Sequence, residues 1–117
     1  MISRELWLAN LVNDARALAD KQHQEKRWSA PDAKPWENPG ELLCAVFDDH
    51  LLNEFIAEHS PSFSAQQLEA ATTFKSALVR HRALSPKKLI AEDVLVDPEW
   101  QLVRHAAARF VAVFDEQ

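Results

Sequence analysis

The chain has one glycine, Gly40, and no tyrosine among its 117 residues. Glycine-rich phosphate loops and dinucleotide fingerprints need several glycines at fixed offsets, so both are excluded. Tight hairpins favour glycine or asparagine at positive φ, and no Asn-Gly or Asp-Gly pair occurs. That weighs against a sheet-rich fold. A lone cysteine, Cys44, rules out an internal disulfide or a cysteine zinc cluster and fits a reducing compartment. Apolar runs fall far short of the ~20 residues that cross a bilayer. The N-terminal stretch MISRELWLANLVND acquires charge too early to form a signal peptide. The expected compartment is the cytoplasm.

Positive charge is missing from one long stretch. From Pro35 to Phe74 there is no lysine or arginine, while Glu37, Glu41, Asp48, Asp49, Glu54, Glu58 and Glu69 are all acidic. The sign flips at Lys75, Arg80, Arg82, Lys87 and Lys88, then returns at Glu92, Asp93, Asp97 and Glu99. Blocks of one sign steer charged partners. The acidic middle argues against nucleic-acid binding through that face and for a basic partner. The alternative is that the blocks pair with one another in the fold.

What is present belongs to a globular protein: 47% apolar and 26% charged residues, at the length of a single domain. Ser3 can cap a helix reaching about Trp28, with Leu8, Leu11, Val12, Ala15, Leu18 and Ala19 as its stripe. The loop SAPDAKPWENPG follows, carrying Trp36, which either folds back onto the core or anchors a partner. Asn38-Pro39-Gly40-Glu41 then starts a short helix, LLCAVF, apolar all round and expected to be buried with Cys44 inside it.

In FDDHLLNEFIAEH, residues 47–59, one straight helix would put Glu54 and Glu58 into an apolar stripe. A break at Asp48-Asp49 removes the conflict. One aspartate then caps a second piece, with Leu51, Leu52, Phe55 and Ile56 inward and His50, Glu54 and Glu58 as an outward ridge. Ser64 and Gln67 form a capping box, and Phe63 can staple onto Leu68. Gln67, Ala71, Phe74 and Leu78 line a helix to about Arg82; Leu84-Ser85-Pro86 begins another, and DVLV reads as an extended link. Asp97-Pro98-Glu99-Trp100 opens the last helix, with the stripe Trp100, Val103, Ala107, Phe110 and Phe114. The expected fold is all-α: a compact bundle of about six helices in one domain, residues 1–117.

No catalytic constellation assembles. His50, Glu54 and Glu58 at i, i+4 and i+8 could hold a metal only with ligands from a facing helix, and no Glu-x-x-His occurs. Arg16 and His23 have the spacing of small helical ribonucleases of the HEPN type, but a match is expected by chance in this composition. There is no G-x-S-x-G, and Cys44 lies in an apolar run away from any base. His81 and His105 sit beside arginines, which suits surface positions. The reading is a non-catalytic binder, with no metal and no cofactor; a small ribonuclease, a metal-dependent hydrolase and a helical regulatory or dimeric protein are the alternatives.

The closing stretch LVDPEWQLVRHAAARFVAVF resembles the last helix of small helical immunity proteins from bacterial contact-dependent growth inhibition and related polymorphic toxin systems. The residues carrying the resemblance are Asp97, Pro98, Trp100, Val103, Arg104 and Ala107. It implies an intracellular antidote that occludes a toxin, commonly a nuclease, whose basic phosphate-gripping surface an acidic face would mimic. On charge alone, the partner-binding residues are Trp36, Glu37, Glu41, Asp48, Asp49, Glu54 and Glu58.

Overall fold

A computed structural model describes residues 3–28, 30–32, 39–84 and 94–115. Trp36, Glu37, the Asn38 cap and the helix start at Ser85-Pro86 lie outside the described residues. Those that are described form helices and turns, with no strand among them. The helical pieces divide differently from the six expected.

Helix α1, Arg4–Ala19, begins where Ser3 Oγ accepts from the Leu6 N–H at 3.1 Å. It ends at Asp20, two turns before the expected stop. Asp20 takes ψ 83° and its carboxylate accepts from the His23 N–H at 3.0 Å, so it caps a separate helix, α2, Lys21–Arg27. A short carboxylate that can cap competes with continuing the helix. The break strands the last carbonyls of α1. Gln24 answers this: its Nε2 donates to the carbonyls of Ala17 and Leu18, at 2.9 and 2.8 Å. Gln24 is fully buried.

Helix α3, Pro39–Cys44, runs into a π-helical turn, Ala45–Asp49, closed by the His50 N–H donating to the Ala45 carbonyl at 2.7 Å. The burial expected all round this segment is confined to Pro39, Leu43 and Val46. Cys44 is exposed, contrary to the expectation, because the π-turn follows a helix that touches the core along one side only. The chain does break, two residues beyond Asp48-Asp49: Leu51 sits in the left-handed region at φ 51° and precedes α4, Leu52–His59. Neither aspartate caps α4, which has no side-chain cap.

After a single 3-10 turn at Ser60–Ser62, α5, Ala65–Leu84, opens on the expected capping box. The Ser64 N–H donates to Gln67 Oε1 at 2.9 Å, and the Gln67 N–H to Ser64 Oγ at 3.1 Å. Phe63 packs on Phe55 and Phe114, whereas Leu68, its expected staple, is exposed. Val94 and Leu95, expected to be extended, are helical. The last helix, α6, Pro98–Asp115, is capped by Asp97, whose Oδ1 accepts from the Glu99 N–H at 2.9 Å.

α6 is the central helix, packed against α1 and α5. Its stripe of Trp100, Val103, Ala107, Phe110 and Phe114 is buried throughout. From it a chain of rings runs through the core: Phe74 to Phe110 at 5.0 Å, Phe110 to Phe114 at 4.6 Å, and on through Phe63 and Phe55 to Trp7. Edge and tilted ring pairs of this kind each add ~0.5–1.5 kcal/mol beyond their buried area. This spine joins α4 to α1, α5 and α6, and it fixes where the acidic segment lies. No helix among the described residues is long and apolar enough to cross a membrane.

Candidate partner-binding face

The acidic segment is fastened to the core at its bend. Trp7 Nε1, on α1, donates to the His50 carbonyl at 2.6 Å. His50 Nδ1 meets Asp14 Oδ2, also on α1, at 2.5 Å. Burial pushes the Asp14 carboxyl above the ordinary carboxylate range; the hydrogen bond and charge of His50 pull it back, and the charge of Asp49 adds to the upward push. His50 is therefore not part of an outward ridge with Glu54 and Glu58. It stands before α4, half-buried, and turns toward α1. The bend, which frees α4 from the helical register of residues 41–49, is the physical reason.

On the outer side of this bend, Asp48, Asp49, Glu54 and Glu58 are all exposed, and Glu41 is exposed on α3. Among the described residues, no ion pair engages Asp48, Asp49, Glu54 or Glu58. Leu51, expected to point inward, is 41% exposed between the two acidic pairs, because its left-handed backbone rotates it out. Leu52 and Phe55 take the buried positions, with Ile56 partly covered. The result is an exposed leucine that lies in sequence between Asp48-Asp49 and the exposed glutamates of α4.

The other charge blocks behave differently. Arg80 binds Glu99 through two nitrogens, at 2.8 and 3.3 Å. Glu99 holds the Arg80 guanidinium above its ordinary range. His81 Nε2 stands 3.5 Å from Asp97 Oδ2. The basic block and the second acidic block thus meet through Arg80 and Glu99, as the pairing alternative held, and Glu69 of the first block meets Arg109, while Asp48, Asp49, Glu54 and Glu58 do not share in this.

Other groups considered for chemistry are dispersed. Arg16 pairs with Asp115 at the far end of α6, and its Nη1 donates to Asn13. His23 lies exposed on α2, beyond the break at Asp20. No group of three or more His, Cys, Asp or Glu side chains among the described residues is placed to hold a metal ion. His105 is exposed, but His81, expected at the surface, is fully buried with its ring 5.0 Å from that of Trp100. Burial lowers its pKa below the ordinary histidine value, against the opposing pull of Asp97 and Glu99.

The buried polar centre was not foreseen. Gln24 Oε1 accepts from Trp100 Nε1 at 3.1 Å and from Arg104 Nε at 3.0 Å. Arg104 is 4% exposed, and burial lowers its pKa. The signal for Arg104, His81 and Asp14 was their spacing: each falls three or four residues from apolar members of its helix's stripe. Gln24 carried no such signal, since it sits in the polar run DKQHQEKR.

Compared with protein-family models, with curated proteins and with solved structures, the chain matches none.

Proposed function

We propose that this protein is a non-catalytic binder whose acidic face, centred on Asp48, Asp49, Glu54 and Glu58, neutralises a basic protein partner. The observation that carries the reading is that these four carboxylates are exposed and unpaired among the described residues, whereas the carboxylates of Glu69 and Glu99 face arginines of the chain. A patch of one sign with no internal counter-charge raises association rates toward a basic surface. The tethered bend supports it further: Trp7 and Asp14 fix His50, so the backbone next to these residues is tied to α1 before a partner arrives, which lowers the ordering cost of binding.

The most specific form of the reading is an immunity protein that blocks a cognate toxin with a basic surface, such as a nuclease, in the cytoplasm of a bacterium. The acidic-proline cap and the Trp100-to-Ala107 pattern of α6 that resemble such proteins support this form. Trp36, Glu37 and Glu41 extend the proposed face on charge and residue type. The reading requires a toxin gene beside the one for this chain, and the test is association with that gene's purified product. Glu54→Lys with Glu58→Lys is expected to slow association about tenfold or more at low salt, with the difference shrinking as salt rises. Unchanged rates would remove this face from the reading.

A further inference from the structure

A second surface has a different character. α5 and α6 run antiparallel, because Glu69 near the start of α5 meets Arg109 toward the end of α6 at 3.6 Å, while Arg80 meets Glu99 at the start of α6. Between them lies an open trough of about 400 Å³. Its floor is almost wholly apolar and built from small side chains, Ala70, Thr73 and Ala77 on α5 and Ala106 on α6, with Leu102 at its edge. Leu102 is 51% exposed, a large apolar side chain on a helix whose other face forms the core. Arg80 and Arg109 line the trough at its two ends.

The charges around this trough form a repeating figure. At one end stand a negative group on α5 and a positive group on α6; at the other end the signs are exchanged. Lay two copies of such a face together about a two-fold axis lying in the interface plane. Every corner of one copy then meets a corner of opposite sign on the other, whether the axis runs along the helices or across them. A surface whose own charge pattern is its complement under a two-fold operation is what an isologous interface requires. The four charged side chains are partly solvent-exposed, so each can share its in-chain partner with the partner copy. The apolar troughs, each bearing Leu102, close over one another at the centre. An apolar centre with a polar rim is the usual anatomy of a protein interface.

We propose that the α5–α6 face is the interface of a homodimer, its occupant a second copy of this chain. The dimer leaves α4 and its acidic carboxylates uninvolved, so this inference stands apart from the functional reading.

Sedimentation equilibrium from low micromolar to several hundred micromolar tests it. The expected mass at the upper end is twice the 13.3 kDa of one chain. Leu102→Glu replaces the large apolar side chain that each copy brings to the trough by a carboxylate and is expected to weaken the dissociation constant at least ~100-fold. Thr73→Glu, at an exposed position on the same trough, should do likewise, so that a folding defect in either variant leaves the other decisive. Arg109→Glu alone should weaken it about tenfold. Inverting all four charges together (Glu69→Arg, Arg80→Glu, Glu99→Arg, Arg109→Glu) preserves complementarity and restores the dimer. That inverted chain should not form mixed dimers with the natural one. A monomer at every concentration, as expected if the trough takes a foreign helix or a small apolar molecule instead, overturns the proposal. So does a dimer indifferent to Leu102→Glu and Thr73→Glu, or free mixing of natural and inverted chains.

Discussion

Replacing Gln24 with leucine tests how the break at Asp20 is tolerated. The substitution nearly preserves volume, so it removes hydrogen bonds without opening a large cavity. The lost bonds are the two from Nε2 to the carbonyls of Ala17 and Leu18, and the two that Oε1 accepts from Trp100 Nε1 and Arg104 Nε. Each buried donor left unpaired costs ~1–3 kcal/mol, with a charged donor toward the upper end. The helix-end carbonyls add a smaller loss, and burial of the leucine side chain returns ~1 kcal/mol or more. The net expectation is a loss of about 3–5 kcal/mol, a large part of the ~5–15 kcal/mol available to a domain. Urea unfolding followed by tryptophan fluorescence reads it, because Trp28 and Trp100 pack at 5.7 Å beside this centre. Adding Arg104→Leu to Gln24→Leu removes the unpaired guanidinium and should recover at least ~1 kcal/mol, giving a clear coupling in the double-mutant cycle. A Gln24→Leu cost below ~1 kcal/mol, or strict additivity with Arg104→Leu, would refute the view that this glutamine satisfies buried groups on two other helices.

Other outcomes follow from single features of the fold. Leu51→Gly relieves a left-handed backbone but gives up the covered part of a side chain that is 41% exposed and loosens the unfolded chain, so thermal denaturation should show a net change within ~1 kcal/mol; a loss above ~2 kcal/mol would mean that packing by Leu51 outweighs its backbone strain. His81 has its pKa lowered from 6.5 by burial, so the unfolded chain takes up its proton first. Its contribution to stability is complete above pH 6.5 and falls away as the pH drops through the folded-state pKa. His81→Gln should flatten that slope, and parallel curves for the two proteins would count against the burial argument. Asp14 has the opposite sign: its pKa is raised from 3.8, so its contribution is full below pH 3.8 and is lost as the pH rises through the folded-state value. Asp14→Asn should therefore gain stability relative to the natural chain across that rise, measured by urea midpoints at stepped pH.

The fold was legible where the code is local. Ser3, the Ser64–Gln67 box and Asp97-Pro98 mark helix starts through side chains that satisfy the first N–H groups, and all three are found doing so. The stripe of α6 was legible because apolar spacing alone places it in the core. Reading failed where two local tendencies compete and distant residues decide. Asp20 could be a surface residue within a helix or the cap of a new one, and the buried seat of Gln24 beside Trp100 and Arg104 favours the second. The break after Phe47 was legible from the clash of Glu54 and Glu58 with an apolar stripe. Its form was not: the π-turn and the left-handed Leu51 depend on Trp7 and Asp14 gripping His50 from another helix. For the acidic face, residue type and exposure were readable from the charge run. Which carboxylates stay unpaired was not, because pairing is set by how α5 and α6 align.

The central claim is that the unpaired carboxylates around the α4 bend meet a basic protein surface. Its most direct test is the association rate with the toxin that the reading expects a neighbouring gene to encode, measured by stopped flow across ionic strength for the natural chain and for Glu54→Lys, Glu58→Lys. The account predicts a rate for the natural chain that falls steeply with salt, and a variant that starts about tenfold slower and loses most of its salt dependence while unfolding at the same urea concentration. Equal rates and equal salt slopes for the two proteins would contradict it.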